Sequence, residues 1–127
     1  MAATPQYLTI PSNGHATLTI GVSALTGANA TLLFQAGANG GRLDTVRIQA
    51  IEATTIGMIR FFSGVNIGIA SALILEVPVV AATPGPTQPA WSAEIELGWI
   101  LAANQVISVT TENSETFAVM VKNGGSF

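Results

Sequence analysis

The chain has 127 residues, 49% of them hydrophobic, with 4 Lys plus Arg and 7 Asp plus Glu. That length holds one domain with a real core. Charged residues are 9% of the chain, against about 25% in an ordinary soluble domain, a balance that argues against intrinsic disorder and against the basic face a nucleic-acid partner needs.

Residues 1–14 are uncharged apart from the amino terminus and poor in helix signals, so they are expected to form an extended N-terminal arm. Residues 15–127 are expected to form a single domain. Within the arm a short strand near residues 6–10 is possible, and Met1–Gln6 lacks the basic and apolar regions of a signal peptide. The predicted strands then follow in order: 16–24, 31–36, 43–53, 57–63, 72–80, 91–98, 105–111 and 115–122. Their warrant is period-2 alternation. Leu18 and Ile20 share one face, as do Val46, Ile48 and Ala50, then Ala93, Ile95 and Leu97, then Phe117, Val119 and Val121. Between the strands stand turn compositions: Pro11–Gly14, Gly27–Asn29, Gly37–Gly41, Gly64–Asn66, the Pro-rich Thr83–Pro89, and Glu112–Ser114. Ala70–Glu76 has fair helix propensity, but Pro78 would end a helix there quickly. About eight strands without a capped amphipathic helix predict an all-β, two-sheet antiparallel β-sandwich, jelly-roll-like.

The residues that could carry chemistry are few. The absence of cysteine excludes thiolate metal sites, disulfides and a Cys nucleophile. The single histidine, His15, reads as a solvated turn residue, with no carboxylate near it in sequence to orient it. Glu94 and Glu96 share one face of a strand, which reads as a solvent- or interface-facing row and not as a glycosidase pair. Gly37–Gly41 lacks the Lys-Ser/Thr of a phosphate loop. No catalytic residue, metal ligand or cofactor is therefore expected. The apolar run 61–75 is shorter than the roughly 20 residues of a spanning helix, and Arg60 and Glu76 close it, so no membrane partner is expected.

What remains points to contact surfaces. Arg47 and Arg60 fall at outward positions of strands expected to be hairpin neighbours through Thr54–Gly57, where Asp44 or Glu52 would pair with them or a subunit interface would desolvate them. Trp91 and Trp99 bracket one strand at a spacing that puts both on the core side, and core or interface packing is favoured over a sugar-stacking platform. A surface with so little charge is poorly protected against association, which suggests an assembly subunit.

The order Thr31–Asp44, Val46–Ala50, Thr54–Phe62, Leu75–Val79 and Glu115–Val119 resembles small tailed-bacteriophage virion proteins of the capsid decoration, or cement, type. The resemblance spans roughly residues 30–122. It implies a β-sandwich bound to the outer surface of the major capsid protein shell, a homotrimer clamping neighbouring capsomers, located on the virion and made in the host cytoplasm without secretion. After the strand ending near Phe62, Ser63–Ala70 is longer and more apolar than the polar hairpin tip such chains lead one to expect, which makes Ile67 and Ile69 candidate interface residues beside Arg47, Arg60, Trp91 and Trp99. A tail, baseplate or fibre-associated protein on the same fold is the nearest alternative, and a carbohydrate-binding module a more distant one.

Overall fold

The computed structural model describes residues 10–11, 14–23, 25, 29–64 and 72–127. Nine strand segments lie in them: β1 (Ile10–Pro11), β2 (His15–Leu18), β3 (Thr31–Gln35), β4 (Gly41–Ala50), β5 (Gly57–Gly64), β6 (Ala72–Val79), β7 (Ser92–Leu101), β8 (Val106–Thr111) and β9 (Phe117–Ser126). No helix occurs among the described residues. The segment with fair helix propensity is strand β6 from Ala72 onward.

The strands form two antiparallel sheets. Sheet A runs β9, β4, β7, with β1 and β2 both on the outer edge of β9, one at its end and one at its start. Sheet B runs β3, β8, β5, β6. Consecutive strands therefore alternate between the sheets from β2 to β5 and again from β6 to β9. The link from β5 to β6 stays within one sheet as a hairpin. With β1 and β2 counted as one edge, this is the eight-strand, two-sheet order of a jelly roll.

One expected hairpin becomes a crossing, and so does a second turn. Residues 51–56 lead from β4 in sheet A to β5 in sheet B, so the strands carrying Arg47 and Arg60 are not neighbours. Residues 112–116 likewise carry the chain from β8 to β9. Turn-forming residues reverse the chain equally well within a sheet or between sheets, so composition does not separate the two outcomes. The 16–24 strand is also shorter than its pattern suggests. It ends at Leu18, and the chain passes to sheet B, where Val22 N–H donates to the Thr111 carbonyl at 2.7 Å. Leu18 is accordingly buried and Ile20 is 75% exposed. His15 is not in a turn; it opens β2, opposite Met120.

The inward rows make the core. Ile48, Phe117, Val119 and Val121 from sheet A face Ile59, Phe61, Ile107 and Val109 from sheet B, all fully buried. Leu43 and Val46 belong to the same core although they are three residues apart, because a bulge between Leu43 and Thr45 shifts the pleat. Burying each such side chain contributes about 1.5–3 kcal/mol. Gly40 ends the turn before β4 at φ 81°, and a Cβ there would stand 2.5 Å from the Leu101 carbonyl oxygen, so glycine is required on both counts.

The sandwich is not equally closed on its two sides. β2 and β3, the edge strands on one side, touch across the sheets. The edge strands on the other side are β6 and β7. There Leu73 and Leu75 of β6 and Ala93, Ile95, Leu97 and Trp99 of β7 point inward but are only half-buried. The alternation read from the sequence holds along β7, and the burial it promises stops halfway because no further strand lies beyond it among the described residues.

Candidate interface surface

The outer face of sheet A holds most of the charge. Arg42 and Asp44 of β4 pair at 2.8 Å. On the neighbouring strands Glu94 Oε1 takes Lys122 Nζ at 2.9 Å and Arg47 Nη1 at 3.5 Å, and Arg47 also donates to Gln49 Oε1 at 2.9 Å. The register makes this a cross-strand group, with Arg47 directly opposite Glu94. Arg47 therefore pairs with Glu94, and not with Asp44 or Glu52: Asp44 is engaged by Arg42, while Glu52 accepts the Thr116 N–H at 2.9 Å in the loops.

The Lys122 ammonium, through its hydrogen bond and then its charge, holds the Glu94 carboxyl below the usual carboxylate range, with a smaller contribution from Arg47. The folded-state pKa is depressed, so the pairing contributes above the unfolded pKa of Glu94 and is lost as pH falls through the folded value. A carboxyl-carbon NMR titration should find the Glu94 midpoint below that of a free glutamate, and Lys122→Met should raise it. An unmoved midpoint in the variant would refute the pairing.

Arg60 lies on the outer face of sheet B, opposite Glu76 of β6 and Thr110 of β8. It is 9% exposed. Its guanidinium approaches Glu76 at 3.7 Å and Glu112 at 3.8 Å, and its Nε and Nη1 are buried without a hydrogen-bond partner among the described residues. Its charge is neutralised inside its own chain, which leaves little of it for a partner to reach.

Trp91 and Trp99 both pack against the core from its margin. The Trp91 ring meets Phe117 edge to face, 6.0 Å between centroids and 88° between planes. Gly98, at φ 61°, sits beside Trp99 where β7 bulges past β4, and the alternation survives it. Ile67 and Ile69 lie outside the described residues, as do residues 1–9, 12 and 13 of the N-terminal arm. At the end of the arm Ile10 and Pro11 pair with Ser126 and Gly125 of the same chain.

Sequence reasoning missed the exposed apolar side chains. Ile56 is 83% exposed and Val80 58%, on either side of the Gly57–Val79 strand pair. Ile51, at 60%, belongs to the same end of the sandwich, where Thr54 and Ala82 exchange backbone hydrogen bonds and the Thr54 hydroxyl donates to the Val80 carbonyl. Asn113 Nδ2 donates to the Thr55 hydroxyl and the Ile56 carbonyl, and the Glu115 carboxylate accepts from Thr55 N–H and Oγ1. These loops are thus cross-linked, and the apolar side chains project from an ordered rim. Ile100, 68% exposed, stands near the opposite end of β7. A run of isoleucine and valine in strands predicts burial; exposure here follows from loop and edge positions that the run does not encode.

Among the described residues no group of three or more His, Asp or Glu could hold a metal ion. No helix of the described chain is long and apolar enough to cross a membrane. The fold defines a class, the all-β jelly-roll sandwich. No protein-family model matches the chain, and no curated protein does.

Proposed function

We propose that this chain is a structural virion protein, a decoration or cement protein that binds the outer surface of a major capsid shell, assembles there as a trimer and bridges neighbouring capsomers. One observation carries the reading furthest: every Lys and Arg is engaged in an ion pair within the chain, while Ile51, Ile56, Val80 and Ile100 stand exposed. Such a surface favours contact with other proteins over contact with nucleic acid or water. The jelly roll supports the reading as a fold that capsid proteins use. Lectins use it too, but both indoles here are engaged in core packing, which weighs against a sugar-stacking platform. The resemblance in the order of strands and turns across residues 30–122 is the reason to place the protein on a capsid.

Copy number tests this reading. Quantitative mass spectrometry of purified virions should find the chain at an abundance approaching that of the major capsid protein. Tens of copies or fewer would favour a tail, baseplate or fibre position on the same fold. Absence from the virion would sink both.

A further inference from the structure

We infer that the free edge of β7 accepts an extended segment of another protein as an added strand, one in which basic residues alternate with apolar ones. The inference does not depend on the virion reading and adds to it a specific contact.

The first observation is the backbone. Ala50 N–H donates to the Trp91 carbonyl at 2.8 Å, which makes that opposition a hydrogen-bonded pair. In an antiparallel ladder such pairs alternate with non-bonded ones. Counting along the β4–β7 register, Ala93 and Ile95 bond to β4, and Ser92, Glu94 and Glu96 point their N–H and C=O groups away from it. Among the described residues nothing pairs with those groups. The other edge on this side, β6, is blunted. Glu112 N–H donates to the Met58 carbonyl, so Met58 faces β8, and its opposition with Pro78 is a non-bonded pair. The missing donor of Pro78 therefore falls on the free edge of β6. β7 contains no proline, and a long edge of this kind is a template for strand addition.

The second observation is the charge balance. Among the described residues, four cations against seven side-chain carboxylates leave three acids without an ion pair: Glu52, Glu96 and Glu115. Glu52 and Glu115 accept hydrogen bonds from loop backbone. Glu96 has neither an ion pair nor a hydrogen bond among the described residues, and it stands exposed on the outward row of the free edge. It borders an open hollow lined also by Asp44, Thr45, Leu97 and Gly98. On the inward side an added strand would cover Ile95, Leu97 and Trp99 and the half-buried Leu73 and Leu75 facing them. Outward basic and inward apolar positions are thus specified together by the pleat.

A second copy of this chain is the poorer occupant. Its cations are already paired, so β7 against β7 offers Glu96 no free cation.

The test uses a labelled heptapeptide of alternating lysine and valine, with fluorescence anisotropy on the full chain. Saturable binding is expected, at least tenfold tighter than for a glutamate–valine twin or a lysine–glycine peptide of equal charge. Glu96→Lys should weaken binding at least tenfold. Ser92→Pro removes one edge donor without touching a bond to β4 and should do the same, with the melting temperature of either variant showing that the fold persists. No binding of the lysine–valine peptide would overturn the inference. So would equal binding of the lysine–glycine peptide, or Glu96→Lys binding as well as the original. Self-association in sedimentation that Ser92→Pro abolishes would replace the foreign strand with a second copy and overturn it as well. Failure of virion attachment with intact peptide binding would count against the capsid reading alone.

Discussion

Phe117→Ala should destabilise the fold by about 3–5 kcal/mol. Phe117 is fully buried at the start of β9, a strand bonded on both sides, opposite Ala50 of β4 and Leu18 of β2. Its ring also supports Trp91 in an edge-to-face contact. Truncation removes the transfer free energy of the ring and leaves a void between two sheets that hydrogen bonds on either side keep from collapsing. A domain of this size has about 5–15 kcal/mol of stability in all, so the loss is a large share of it. Chemical denaturation of the two proteins measures the difference. A loss under about 1.5 kcal/mol, the range of volume-conserving swaps, would mean that the site collapses around the truncated side chain and that the ring is not held in a rigid core.

Arg60→Met should leave stability unchanged or raise it by about 1 kcal/mol, whereas Glu76→Gln combined with Glu112→Gln should lower it by about 3 kcal/mol. The asymmetry follows from who is buried. The Arg60 side chain is 10% exposed and those of Glu76 and Glu112 are 41% and 39% exposed. Removing the arginine returns two carboxylates to water they already touch, and it removes two buried donor nitrogens that lack partners among the described residues. Removing the carboxylate charges instead strands a desolvated cation. Both variants are read by the same denaturation experiment. A loss of 2 kcal/mol or more in Arg60→Met would show that the ion pairs are net stabilising despite separations of 3.7 and 3.8 Å.

These two sites differ in how far the sequence announces them. Phe117, Val119 and Val121 are legible as a buried row because alternation is a local property: the pleat sends every second side chain to one face whatever the neighbouring strands are. The same logic finds Val46, Ile48 and Ala50, and puts both tryptophans on the core side. Arg60 is legible as an outward residue for the same reason. Its partners are not, because Glu76 and Glu112 are brought beside it by sheet B and by the crossing after β8. Arg47 illustrates the point from the other side. Sequence proximity suggests Asp44 or Glu52, and the register supplies Glu94 from a strand some fifty positions along. Pro78 is a local sign of an edge strand, since proline cannot donate in a central ladder, and it marks β6 correctly without saying anything of β7.

The sequence by itself determined the strands, their inward faces, the all-β class and the poverty of charge, because each is set by composition or by the two-residue period of an extended chain. The tertiary structure alone decided which strands are neighbours, which turns cross between sheets and, among the described residues, that the sandwich gapes along β6 and β7 and that Glu96 has no partner on the outer edge of β7. Strand pairing is a contract between distant segments, and hydrogen bonds between backbones carry no side-chain signature by which one strand names another.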